Sequence, residues 1–163
     1  MRELAKGYGF NNIVYVDESG FESSSCRLRG WGRIGQKIYG NRSGNKRPRT
    51  SLIAAKKGRK LIAPVLFQGS TDADWFNLWL EQHLFPALDQ PSVIVMDNAR
   101  FHKTEPTFAL FENSPHILLF LPPYSPDFNP IEQDFATLKK RRQFAPTGTP
   151  IDSIVQSYAS YLE

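Results

Sequence analysis

The sequence predicts an α/β domain built on a mixed sheet, with early antiparallel strands, later parallel strands and helices flanking them. Three observations carry that reading. Short apolar runs rich in β-branched residues end in turn or loop signals at 13–16, 51–55, 61–67, 93–96 and 117–121. The second and third runs are joined by a short polar turn, whereas the later runs alternate with segments of helical period. The chain has 163 residues, is 40% hydrophobic and contains 12 Phe, 6 Tyr and 3 Trp, enough to bury one sizeable core, so 1–163 reads as a single domain.

Each element has its own warrant. Asn12-Ile-Val-Tyr-Val-Asp17 reads as a buried strand that stops in a turn at Asp-Glu-Ser-Gly20. Residues 30–39 have the pattern of a glycine-interrupted second strand, and 41–49 that of a polar, basic loop. Thr50–Ala55 and Leu61–Phe67 form a strand pair turned at 56–60, with Pro64 marking an edge or a bulge because it cannot donate to a ladder. Thr71-Asp-Ala-Asp74 opens a helix to about residue 88, with Trp75, Leu78, Trp79 and Phe85 as its apolar face. A buried strand then ends at Asp97, a short helix spans Thr104–Asn113, and a third apolar strand covers His116–Leu121.

The stretch Pro122-Pro-Tyr-Ser-Pro-Asp-Phe-Asn-Pro-Ile-Glu132 follows. Four prolines stiffen it and remove backbone donors. Asn129 suits an N-cap and Pro130 the first helical position, ahead of a helix to about Gln143 with Ile131, Phe135 and Leu138 at helical spacing. An amphipathic helix over Ile151–Leu162 closes the chain.

Charge is distributed unevenly. Residues 23–71 hold twelve Lys and Arg and no acid, although the net charge is only +4. Such a block predicts a polyanionic partner, nucleic acid first. The phosphate-contact candidates are Arg42, Lys46, Arg47, Arg49, Lys56 and Lys57, with Lys139 and Lys140 on the helix after Glu132. The single cysteine, Cys26, excludes a disulfide framework and a multi-cysteine zinc site. No apolar run is long enough for a transmembrane helix, and the expected location is the cytoplasm.

Asp17 and Asp97 each close an apolar run, and sites gather at the carboxyl ends of strands in open α/β sheets. Such an Asp also serves as a turn former, and Glu132 has capping-box spacing to Asn129, so each has a local alternative. Together the three select hard cations, Mg²⁺ or Mn²⁺, and two such ions can activate water and stabilise a leaving oxygen in phosphodiester cleavage. Asp134 stands about 200° round the helix from Glu132, and Glu18 faces away from Asp17 on the strand. Asn98 and His102 are the candidates for supporting groups behind the carboxylates.

The blocks Val16-Asp17-Glu-Ser-Gly-Phe21, Met96-Asp97-Asn-Ala-Arg-Phe-His102 and Tyr124-Ser-Pro-Asp-Phe-Asn-Pro-Ile-Glu132 resemble the DDE transposases of bacterial insertion sequences related to the Tc/mariner superfamily. Thirty-four residues separate Asp97 from Glu132, a spacing used in that superfamily. The resemblance implies a ribonuclease H-like fold and cut-and-paste DNA transposition, with Asp17, Asp97 and Glu132 as catalytic metal ligands. Such transposases carry an N-terminal helix-turn-helix region; only sixteen residues precede Asp17, so that region is expected to be absent and supplied by a separate or fused partner. Element-end and target DNA are the expected partners, and a homodimer is compatible with the family.

Overall fold

The computed structural model describes residues 12–22, 33–37, 49–122, 128–146 and 148–161. Its core is a five-stranded sheet: β1 (Ile13–Glu22), β2 (Arg49–Lys57), β3 (Lys60–Gln68), β4 (Val93–Met96) and β5 (Ile117–Phe120), in the order β3-β2-β1-β4-β5. β1, β2 and β3 are antiparallel neighbours, while β4 runs parallel to β1 and β5 parallel to β4. The mixed sheet with its antiparallel side first is thus the predicted one.

Among the described residues, four α-helices flank the sheet: α1 (Ala73–Trp79), α2 (Glu105–Glu112), α3 (Ile131–Phe144) and α4 (Ile151–Tyr161). One face packs Val14, Val16, Ile53, Ala55, Ile94 and Met96 against Phe76, Trp79 and Phe111 of α1 and α2. The other packs Phe21, Leu52, Ala54 and Leu61 against Ile131, Phe135 and Leu138 of α3 and Ile154, Val155 and Tyr158 of α4. The alternation along β1 and β2 assigns neighbouring residues to opposite layers. Asp17 therefore shares the parity of Phe21 and the α3 layer, and Glu18 that of Val16 and the α1 layer.

Pro64 behaves as expected. β3 is an edge strand, and its register with β2 shifts between Ile53 and Ala55. Ala63 adopts φ 48°, and its carbonyl accepts a 3.0 Å hydrogen bond from the Trp79 indole. The β2–β3 turn tightens to Gly58-Arg59, with Gly58 at φ 60°, a conformation glycine reaches without a Cβ penalty.

Three expectations change. β1 does not end at Asp17; antiparallel pairing with β2 continues from Val14 opposite Lys57 to Glu22 opposite Arg49, so the ladder carries the strand through Asp-Glu-Ser-Gly. Residues 33–37 are an exposed turn, closed by a 3.0 Å bond from Gln36 N–H to Arg33 C=O, and the rest of that predicted strand lies outside the described residues. The helix from residue 73 passes into a π-helical turn over Leu80–Leu84 and a 3₁₀ turn over Phe85–Ala87. Its buried stripe is Phe76, Trp79, Leu80 and Leu84, leaving Leu78 exposed. Asp72 caps this helix through a 2.8 Å bond from Trp75 N–H, and Thr104 caps α2.

Candidate active site

The parallel ladder pairs Ile13 with Val93, Val14 with Ile94 and Tyr15 with Val95. Continued for two residues, that register sets Asp17 level with Asp97 on the neighbouring strand. The ends of β4 and β5 are tied by a 2.8 Å bond from Leu121 N–H to Met96 C=O and by the Asn98 side-chain amide donating to Leu121 C=O. Asn98 is thus a support for the strand ends.

Glu132 occupies the first turn of α3, its side chain exposed. Asn129 is buried and holds that turn against β1: its amide donates to Val16 C=O at 3.3 Å, and its Oδ1 accepts from Ile131 N–H at 3.4 Å. Asn129 therefore joins the residue before Asp17 to the residue before Glu132. The cap is displaced by one position, with Pro130 rather than Asn129 bordering the helix. Residues 123–127, the middle of the proline-rich loop, lie outside the described residues.

The electrostatics link the three carboxylates. Burial, joined by the negative charges of Glu18, Asp97 and Glu132, pushes the Asp17 carboxyl up to about 7, despite a 2.8 Å hydrogen bond from Glu18 N–H that favours its ionised form. Asp97 is held below the ordinary carboxylate range, first by His102 and also by a 2.9 Å bond from Ala99 N–H.

His102 is 1% exposed, packed at 4.3 Å and a 44° tilt against Phe76, and placed between two acids. Its Nδ1 lies 2.8 Å from Asp97 Oδ1, an ion pair without the direction of a good hydrogen bond, and its Nε2 lies 3.3 Å from Glu18 Oε1. Burial alone would lower its pKa, but the two carboxylates outweigh burial and raise it to about 9. The imidazolium therefore persists at neutral pH. Sequence reasoning placed His102 behind the carboxylates but missed Glu18, which faces away from Asp17 yet reaches Asp97 through His102. Its position on the face opposite Asp17 was the available signal.

The basic candidates separate in space. Lys56 is turned inward and ion-paired with the buried Asp134, correcting its reading as a phosphate contact. Lys57 stands opposite Val14, toward the start of β1, and pairs with the exposed Asp89 at 2.5 Å. Arg49 is exposed, with its guanidinium over Gly20, where an added Cβ would meet Nε at 1.8 Å. Lys139 and Lys140 are exposed on α3. Arg42, Lys46 and Arg47 lie outside the described residues.

Oxygen donors of three carboxylates, one of them destabilised in its ionised form by burial and then by the other two, match a hard divalent cation. Among the described residues, no three His, Cys, Asp or Glu side chains already stand at ligand spacing.

A mixed five-stranded sheet in the order β3-β2-β1-β4-β5, with helices on both faces, is a ribonuclease H-like fold, the fold found in transposase catalytic domains. The chain belongs to the DDE superfamily endonuclease family, whose pattern matches residues 12–148. Solved structures with this fold include a Mos1 transposase paired-end complex with left transposon end, at 19% identity and TM-score 0.79 over 97% of this chain and 51% of that one. The Mos1 strand transfer complex matches at 20% identity and TM-score 0.79, over 97% and 50% of the two chains. The catalytic domain of Mos1 mariner transposase matches at 16% identity and TM-score 0.63, over 98% and 74%. The chain thus spans about half the length of the first two. No match is found among curated protein sequences. Among the described residues, no helix is long and apolar enough to cross a membrane.

Proposed function

We propose that this chain is the catalytic domain of a DNA transposase, cleaving a phosphodiester at an element end and joining the freed 3′-hydroxyl to target DNA. The observation that supports the reading is that the negative charges of Asp97 and Glu132 both act on the buried Asp17, while Asn129 ties the residue before Asp17 to the residue before Glu132. Asp17, Asp97 and Glu132 would hold Mg²⁺ or Mn²⁺, two ions in the full site; such ions supply an activated oxygen nucleophile and charge neutralisation at phosphate. Mos1 paired-end complexes have been solved with Mn and with Mg, which supports the same choice here.

The protein's own part is placement and charge. His102, kept cationic by Glu18 and Asp97, holds the Asp97 carboxylate ionised. Asn98 and Asn129 fix the backbones from which the acids project. Arg49, Lys139 and Lys140, with Arg42, Lys46 and Arg47, would neutralise DNA phosphates and set affinity more than sequence choice. A helix-turn-helix partner, separate or fused, would recognise element ends, and pairing of two ends would favour a homodimer. The setting would be a bacterial insertion sequence acting in the cytoplasm.

The test is incubation of the protein with labelled element-end and target duplexes in Mg²⁺ or Mn²⁺. Asp97→Ala should abolish cleavage while leaving the fold intact by circular dichroism; wild-type-like cleavage by that variant would sink the assignment. Cleavage with no joined product would instead establish a nuclease of the same fold.

A further inference from the structure

Among the described residues, a buried polar cluster lies apart from the site residues. Asp134, 4% exposed, occupies the inward stripe of α3 with Ile131, Phe135 and Leu138. Its Oδ2 is ion-paired with Lys56 on β2, and its Oδ1 accepts a 2.5 Å hydrogen bond from the Tyr158 hydroxyl on α4. Tyr158 is itself buried, and the Arg141 guanidinium sits 4.9 Å from its ring centroid. Burial and the neighbouring Asp134 push the Tyr158 hydroxyl up to about 12, so it remains a donor at any working pH.

The physical role of such a cluster differs from that of the apolar side chains around it. Ile131, Phe135 and Leu138 hold α3 on the sheet, but burial of apolar area is non-directional and tolerates rotation about the helix axis. Two hydrogen-bonded partners from two different elements, converging on one carboxylate, do not. Asp134 is two residues from Glu132 on the same turn, so whatever fixes the azimuth of Asp134 fixes that of Glu132. A carboxylate lies about 6 Å from the helix axis, so a rotation of about 15° would carry Glu132 through roughly 1.5 Å. Metal ligands tolerate displacements of only about 0.2 Å. A buried ion pair is also seldom required for stability, since apolar groups of similar volume can replace it.

We propose that Lys56, Asp134 and Tyr158 form an internal tripod that sets the rotation of α3 and thereby positions Glu132 for divalent-cation binding. The proposal rests on Glu132 serving as a metal ligand. The three are positioning residues: Lys56 and Tyr158 bond to Asp134, which points about 200° round the helix from Glu132.

The test reads Mn²⁺ affinity of the full chain from the loss of the free-ion electron paramagnetic resonance signal, alongside Mn²⁺-dependent DNA cleavage. Tyr158→Phe removes one hydroxyl, and the pair Lys56→Met with Asp134→Leu replaces the ion pair by apolar volume. Both should fold, bind Mn²⁺ about 10- to 100-fold more weakly, and lose kcat at sub-saturating Mn²⁺ with KM for DNA unchanged. Glu112→Gln, exposed on α2 over the opposite face of the sheet, should match wild type in every readout. Wild-type Mn²⁺ affinity in either folded variant overturns the tripod, as does failure of both to fold, which would make the cluster a folding element. Asp97→Ala separates the two levels. If it loses Mn²⁺ while the tripod variants keep it, the tripod alone falls; if it binds Mn²⁺ as wild type does, the carboxylate site falls and the tripod with it.

Discussion

Replacing Asp17 by Asn should stabilise the metal-free protein while removing its proposed chemistry. The carboxyl moves from an ordinary 3.8 to about 7 in the fold, chiefly because it is buried, with Glu18, Asp97 and Glu132 adding to the effect. A tenfold change in proton affinity is about 1.4 kcal/mol, so keeping Asp17 ionised in the folded state costs at most about 4 kcal/mol. Solvent screening at a carboxyl partly open to water reduces this to about 1–3 kcal/mol. The sign follows from proton counting. Between about pH 4 and 7 the folded state binds more protons at this site than the unfolded one, so its contribution to stability falls as pH rises and is flat above that window. Asn carries no charge at any pH and keeps an oxygen for the Glu18 N–H. Urea unfolding in EDTA should therefore find Asp17→Asn more stable than wild type by about 1–3 kcal/mol near pH 8 and equal to it below about pH 4. Millimolar Mg²⁺ should narrow the gap by stabilising wild type alone. Equal stabilities near pH 8, or a gap that persists unchanged into acid, would show that the Asp17 carboxylate is not destabilised by burial in the fold.

Other consequences are checked more simply. His102 has its pKa raised from 6.5 to about 9, so its ion pairs contribute fully below about pH 6.5 and are lost as pH rises through 9. His102→Gln should be destabilising at pH 6, and its deficit in urea unfolding should shrink steadily toward pH 10; a pH-independent deficit would assign His102 to packing alone. Arg49→Gln with Lys139→Gln and Lys140→Gln should weaken DNA binding and flatten its log–log salt dependence by about 0.9 for each phosphate no longer neutralised. An unchanged slope in fluorescence anisotropy titrations would show that these three cations face solvent.

Much of the architecture is legible in the sequence. Local chemistry is sufficient for features that depend on neighbours in the chain. Asp72 and Thr104 cap the helices they precede, Gly58 turns the hairpin, and Pro64 marks an edge strand with a register shift. The apolar runs before Asp17 and Asp97 sufficed to place both acids on strands of one sheet, Asp97 just past the end of β4 and Asp17 within β1. Asp134 and Glu132 were also separable in advance, because two residues on a helix are about 200° apart, and the structure buries one and exposes the other.

What remained hidden depended on the meeting of distant segments. The extension of β1 past Asp17 is set by its ladder with β2, not by the turn-forming character of Asp-Glu-Ser-Gly. Lys56 lies in a basic run, and only the arrival of Asp134, 78 residues later, turns it inward. His102 is 84 residues from Glu18, and neither residue alone announces that the two carboxylates flanking the imidazole will keep it charged. Local sequence is enough for most of the elements, their caps, the alternation that assigns each residue to a face, and the three acids that follow apolar runs or open a helix. The tertiary structure alone decided which charges neutralise each other. An ion pair is fixed by distance and burial, and neither exists until the sheet and the two helical layers have closed.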